Sequence, residues 1–204
     1  MSTPIRLLLA DDQALVRGAL AALLNLEPDL EVVAEVGDGD EVMAAVAAHR
    51  PDVALLDVEM PRLDGISATA AVRAAYPDTR VLIVTTFGRP GFLRRALQAG
   101  ASGFVVKDTP AAQLADAVRR VQAGLRVVDP LLATDSLISG ESPLSPRETD
   151  VLKAARDGAS VAVVAGRLFL SEGTVRNHLS AVIGKTGASN RAEAVRIAEQ
   201  NGWL

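Results

Sequence analysis

Short runs of leucine and β-branched residues recur through the first 123 positions, at 5–10, 30–36, 53–56, 81–84 and 104–106. Between them lie longer, alanine-rich stretches whose apolar positions return with helical period, at 14–26, 41–49, 66–75, 90–99 and 111–123. The first kind of run predicts a strand and the second a helix. Gly, Pro or Asp bounds each helix, as chain ends of that kind require. Five strands alternating with five helices predict a doubly wound α/β domain, a five-stranded parallel sheet with helices on both faces. The nearly unbroken apolar character of strands 1, 3 and 4 agrees, because central parallel strands are buried on both sides.

The period breaks at Gly124. Pro130, Gly140, Pro143 and the polar string Thr134-Asp135-Ser136 predict a linker over 124–143, with a short helix near 130–137. Four helical patterns follow with no strand between them, at 146–156, 161–168, 173–186 and 191–201. The expected organisation is an α/β domain over 1–123 and an all-α domain of four helices over 144–204. A length of 204 residues suits two such domains.

Composition narrows the chemistry. The absence of cysteine excludes a disulfide framework, a thiolate zinc site and a cysteine nucleophile, and two histidines are too few for a multi-histidine metal centre. The first apolar run is interrupted by Arg6 and ends at Asp11 and Asp12, too short and too acidic for a signal peptide or membrane helix. A cytoplasmic protein with no direct membrane binding is expected. The net charge of −4 is uneven: from Ser142 onward there are 8 Lys/Arg against 6 Asp/Glu, so the tail is the better candidate for binding a polyanion.

Ligands of parallel sheets bind where strand C-terminal ends open into loops. Asp11 and Asp12 follow strand 1, Asp57 ends strand 3, Thr85 follows strand 4 and Lys107 follows strand 5. Each alone has an ordinary explanation: Asp12 as a helix cap, Asp57 as a turn carboxylate, Thr85 as a strand end, Lys107 as a surface cation. Their meeting at one sheet edge has a chemical one. Three carboxylates repel one another unless a hard divalent cation lies among them, and Mg2+ suits carboxylate oxygens while keeping positions open for phosphoryl oxygens. Asp57, ionised at neutral pH, can then act as nucleophile toward phosphorus, with Thr85 and Lys107 stabilising the transferring group.

In the tail, the third helix follows the second after the short turn Phe169-Leu170-Ser171, with Ser171 as a candidate N-cap, which is helix-turn-helix spacing. Val175, Leu179, Val182 and Ile183 form a buried stripe at i, i+4, i+7 and i+8, leaving Arg176, Asn177 and Ser180 on another face. Arginine forks onto guanine and asparagine onto adenine in a major groove, so this face has base-reading chemistry, although a solvated helix face would look the same. His178 has no second ligand nearby and reads as a surface or phosphate-touching residue.

With these motifs in hand, residues 5–123 resemble a receiver domain. The match rests on Asp11-Asp12, the string from Asp57 through Met60-Pro61 to Asp64-Gly65, Val84-Thr85 and Gly103-Phe104-Val105-Val106-Lys107. The resemblance implies strand order 2-1-3-4-5 and Asp57 as phosphoacceptor. It makes Asp12, Asp57 and the Glu59 backbone carbonyl direct Mg2+ ligands, Asp11 a ligand through water, Thr85 and Lys107 phosphoryl contacts, and Phe104 the switch aromatic. Thr86 replaces the alanine common after the switch residue and Phe87 with Glu59 flanks the site, which bears on water access and acyl-phosphate lifetime; Gln13 stands where many relatives have histidine.

Residues 144–204 resemble the LuxR-type DNA-binding domain, through Leu144-Ser145-Pro146-Arg147-Glu148, Val151-Leu152, Gly158, Thr174-Val175-Arg176, His178, Lys185, Gly187 and Asn190-Arg191-Ala192-Glu193-Ala194. That likeness implies that Arg176, Asn177 and Ser180 face bases and that Thr174, His178, Lys185 and Arg191 touch phosphates. The whole is similar to two-component response regulators of the NarL/FixJ class, with Arg89-Pro90-Gly91 and Gly202-Trp203 resembling fatty-acid desaturase regulators. A sensor histidine kinase, double-stranded promoter DNA and a second copy of the chain are the implied partners, and RNA polymerase is a further candidate. No enzyme activity is implied beyond Mg2+-dependent self-phosphorylation and dephosphorylation.

Two rival readings differ in class: a phosphatase-like hydrolase on the same acidic edge, and an interaction module whose tail binds protein or RNA. An aromatic content of 3% argues against RNA recognition by base stacking. The first helix carries surplus apolar surface. Val16, Leu20, Leu23 and Leu24 suffice to face the sheet, yet Leu15, Ala19, Ala22 and Leu26 form a second stripe, either covered by the fifth helix or exposed as a dimer face.

Overall fold

The computed structural model describes residues 3–86, 90–129, 132–133 and 142–204. They divide into two units, one built on the sheet and one on the C-terminal helices. The first runs β1 (Ile5–Ala10), α1 (Ala14–Leu24), β2 (Leu30–Val36), α2 (Val42–His49), β3 (Val53–Leu56), α3 (Gly65–Ala75), β4 (Arg80–Thr85), α4 (Pro90–Gln98), β5 (Gly103–Val106), α5 (Ala111–Gln122) and β6 (Val127–Val128).

The sheet order is β2-β1-β3-β4-β5-β6, all pairs parallel. Alternation along each strand splits the core into two layers. Leu7, Leu9, Leu55, Leu82 and Val84 pack with Leu114 and Val118 of α5, while Leu8, Leu56, Val81, Ile83 and Phe104 pack with Val46 and Val72. The chain reverses its direction of travel across the sheet between β1 and β3, and Ala10 pairs with Leu56 at that junction. The residues that follow, Asp11 and Asp57, therefore emerge side by side at the topological switch point.

Two details differ from expectation. The sheet has a sixth strand, a two-residue edge in which Val127 and Val128 pair with Gly103 and Phe104, too short to leave a periodic signal. Helix α1 keeps three of its four expected inward residues, Leu24 buried and Val16 and Leu20 half-buried, but Leu23 is exposed and Ala21 is buried in its stead. The inward positions 17, 20, 21 and 24 follow three- and four-residue spacing, which leaves Leu23 off the stripe. Of the short helix expected near 130–137, positions 130–131 and 134–137 lie outside the described residues.

The second unit contains α6 (Pro146–Ala154), α7 (Val161–Leu168), α8 (Glu172–Thr186) and α9 (Arg191–Gln200) around Val151, Leu152, Val164, Val175, Leu179, Val182 and Ala194. Each helix opens on a side-chain cap, from Ser145, Ser160, Ser171 and Asn190, and each cap contributes about 1 kcal/mol. Phe169 ends α7 in the left-handed region at φ 54° and stands 96% exposed. No helix among the described residues is long and apolar enough to cross a membrane.

Candidate functional site

Asp11 and Asp57 are carried on the ends of β1 and β3, and the Asp57 amide donates to the Ala10 carbonyl at 2.9 Å, which fixes their spacing. Gly65 completes the floor. A Cβ there would stand 1.8 Å from the Asp57 carbonyl oxygen, so the start of α3 reaches this position only without a side chain. Asp64 caps α3 by accepting from the amides of Ile66 and Ser67, and Gly65 N donates to Val58 O at 3.0 Å.

Carboxylate oxygens of Asp11, Asp12 and Asp57 lie within 4.8 Å of one another. Lys107, its side chain 9% exposed, places Nζ 2.7 Å from Asp57 Oδ2 and 2.7 Å from Asp11 Oδ2. The other oxygen of Asp11 accepts from Gln13 N at 2.9 Å. Asp57 Oδ1, by contrast, is buried with no hydrogen-bond partner. Burial pushes the Asp57 carboxyl above its ordinary range, and the Asp11 charge adds to this against the opposing pull of Lys107. Burial opposes the Lys107 charge too, but the two carboxylates outweigh it and hold the ammonium above its usual value.

This donor set fits a hard divalent cation: oxygens only, crowded negative charge, and one bare buried oxygen. Thr85 is buried as the last residue of β4, paired with Val106 of β5, so strand pairing brings it beside the residue preceding Lys107. Phe104 is already wholly inside the core. Glu59 is exposed on the β3–α3 loop, and Phe87 and Arg89 lie outside the described residues.

Two features near the site escaped the sequence reading. Arg17 of α1 donates from Nη1 to the Asp11 main-chain carbonyl. Its signal was a charged residue on the inward face of an apolar helix. Arg62, at φ 58°, bonds Asp38 at 2.8 Å and Asp40 at 2.7 Å, joining the β3–α3 loop to the β2–α2 loop. Nothing in the spacing of these residues announced that pair.

In the second unit, Gly173, Arg176, Asn177, Ser180, Ala181 and Gly184 are all exposed and follow one another at i, i+3, i+4, i+7, i+8 and i+11 along α8. Small side chains beside one arginine and one asparagine leave a helix face able to approach a groove closely. Arg176 bonds Glu172 at 2.6 Å. Thr174 and His178 are half-buried, and Thr174 Oγ1 lies 2.8 Å from Ser171 Oγ. Lys185 Nζ bonds Glu148 Oε2 at 2.7 Å, while Arg191 donates to the carbonyls of Ala159 and Gly158 and ties the start of α9 to the loop before α7. In the first unit, Leu15 and Leu26 are 86% and 79% exposed, and Ala19 and Ala22 are exposed with them, so α5 leaves the second apolar stripe of the first helix uncovered.

Residues 7–119 match the family model of the response regulator receiver domain, and residues 142–198 match that of bacterial regulatory proteins of the luxR family. The chain is 41% identical over 200 residues to the transcriptional regulatory protein YvfU of Bacillus subtilis (strain 168), covering 98% of this chain and all of that protein. It is 39% identical over 202 residues to the transcriptional regulatory protein DesR of the same organism, covering 98% of this chain and 99% of that one. The crystal structure of ChrA, a response regulator of a heme-sensing two-component system, matches with a TM-score of 0.61 at 34% identity over the whole of both chains. Neither a stand-alone hydrolase nor an RNA-binding module accounts for both matched domains. The chain belongs to the two-component response regulators that join a receiver domain to a luxR-type DNA-binding domain.

Proposed function

We propose that this protein accepts a phosphoryl group on Asp57 from a sensor histidine kinase and, as a homodimer, binds double-stranded promoter DNA in the cytoplasm. The observation that carries the first half is the bare, buried Oδ1 of Asp57 beside the bonded Oδ2. The Asp57 carboxylate attacks phosphorus, a C–O–P mixed anhydride forms, the phosphorus–nitrogen bond to the donor imidazole breaks, and the imidazole leaves with that electron pair. Asp12, Asp57 and the Glu59 carbonyl would hold Mg2+, with Asp11 acting through water, and the cation would offset charge on the phosphoryl oxygens. Lys107 keeps Oδ2 oriented and offers its ammonium to the incoming group, with the Thr85 hydroxyl as the second donor.

Arg176, Asn177 and Ser180 are the base-facing residues of α8. Thr174, His178, Lys185 and Arg191 supply phosphate contacts, Lys185 and Arg191 by exchanging partners inside the domain for DNA. Leu15, Ala19, Ala22 and Leu26 form the contact between copies. We place the DNA-binding domain at 144–204, and extend the receiver, expected over 1–123, through β6, because Val127 and Val128 pair with its strand β5; the linker follows up to 143. Incubation with acetyl phosphate and Mg2+ followed by intact-mass measurement tests the acceptor: one phosphoryl group is expected on the parent and none on Asp57→Asn. An undiminished label on Asp57→Asn defeats the assignment.

A further inference from the structure

Helix α1 begins without a side-chain cap. Gln13 occupies the cap position but makes no capping bond, and no acidic residue stands in the first turn. Asp11 fastens the helix instead. Its Oδ1 accepts from Gln13 N, and its main-chain carbonyl accepts from Arg17 Nη1, one turn into the helix. The remaining oxygen, Oδ2, is held by Lys107, which also holds Asp57. An unbroken line of bonds therefore runs from Asp57 through Lys107 and Asp11 to Arg17.

The surroundings of Arg17 suit a residue with one set position. Its Nε lies 3.7 Å from Glu35 Oε2 on β2, and a Cβ on Gly37 would stand 3.3 Å from Nη1. Arg17 and Leu20 of α1 line a small pocket together with Asp11, Asp57 and Val84, so the helix borders the acceptor directly.

We propose that Arg17 is a positioning residue that couples occupancy of Asp57 to the placement of α1, and so to the exposed stripe Leu15, Ala19, Ala22 and Leu26. This rests on reading Asp57 as the acceptor and that stripe as the contact between copies. A phosphoryl group on Asp57 offers Lys107 new oxygens, and bonds to them are made at the expense of Asp11 Oδ2. Asp11 then settles differently, and Arg17 and Gln13 carry the change into the helix because they are its other partners. A lysine at 17 keeps one donor for the Asp11 carbonyl and loses the second arm toward Glu35.

The test uses the full chain as parent, Arg17→Met and Arg17→Lys, with and without beryllofluoride and Mg2+. Sedimentation measures dimer affinity, and acetyl phosphate labelling is read by intact mass. Arg17→Met should be labelled as the parent is and dimerise equally when unactivated, while its beryllofluoride-driven gain in affinity falls about tenfold. Arg17→Lys should recover part of the gain. An Arg17→Met chain that gains as much as the parent overturns the proposal.

A parent that takes no label removes the acceptor reading and this proposal together. If the parent is labelled but Leu15→Asp dimerises undiminished, the stripe is not the contact, and amide exchange over 14–24 decides. A beryllofluoride-induced change present in the parent and absent in Arg17→Met supports the coupling, and none in either overturns it. Should Arg17→Met fail to fold, Arg17→Lys carries the same comparison.

Discussion

The Lys107 ammonium reaches Asp57, 50 positions away, bonds one of its oxygens at 2.7 Å and leaves the other buried and bare. A buried acceptor without a partner costs stability, and the cost is removed only when something binds there. The same cation bonds two carboxylates at once and offsets one of their two negative charges, so its loss would expose repulsion that it now reduces.

Lys107→Ala should therefore destabilise the receiver by about 3 kcal/mol in chelator, because it orphans a buried pair. Saturating Mg2+ should restore more stability to the variant than it adds to the parent. Denaturant titrations with and without Mg2+ measure both quantities, and an equal gain in the two chains would mean that Lys107 is not what offsets these charges.

Glu148 gives a pH-dependent expectation. Its carboxylate bonds Lys185 and the Ser145 amide and is held at about 2, against an ordinary 4.5. A depressed folded value means that its contribution is complete above pH 4.5 and is lost as pH falls toward 2. Glu148→Gln keeps a capping side chain without the charge and should cost about 1–2 kcal/mol at pH 7, since Lys185 is partly in solvent. That difference should close between pH 4.5 and 2. Trp203, the single tryptophan, packs on the core of this unit and reports its unfolding alone.

On DNA, Arg176→Ala or Asn177→Ala should cost about 1–3 kcal/mol and relax preference at particular base pairs. Lys185→Ala should weaken all sequences evenly and reduce the salt slope. Because it also strips Glu148 of its partner, it should lower the melting temperature as well, and binding must be read well below that melt. If both α8 variants leave affinity and preference unchanged in a mobility-shift series, another face reads the bases.

Phe169 is an exposed, non-glycine residue at φ 54°. A left-handed conformation costs a side-chain-bearing residue about 1–2 kcal/mol, partly returned to glycine's unfolded-state entropy. Phe169→Gly should stabilise the second unit by roughly 0.5–1 kcal/mol in Trp203 fluorescence melts. A loss of stability would mean that the ring makes contacts worth more than the strain.

The elements were legible where burial imposes a period. Strands β1, β2 and β3 fall where their apolar runs stand, and α7 matches its expected span to the residue. The nearness of Asp11, Asp57 and Lys107, each one residue beyond a strand end, and of Thr85 at the end of β4, was readable because topology brings the C-terminal ends of these strands together. Asp11's dual grip on Lys107 and α1 was not readable, since hydrogen bonds through a main-chain carbonyl leave no residue signature. Leu23 was misplaced because in a helix as uniformly apolar as α1 many rotations satisfy the pattern, and only contact with α5 and β2 selects one.

The short strand β6 bears on how this protein can be divided. It covers the open side of β5 at Gly103 and Phe104, so a receiver cut after residue 123 would present the unpaired amides and carbonyls of β5 to other molecules. Bare strand edges template intermolecular sheets. A fragment ending at 129 should stay monodisperse in light scattering at concentrations where one ending at 123 self-associates. Two valines beyond the last receiver helix thus act as a guard against aggregation.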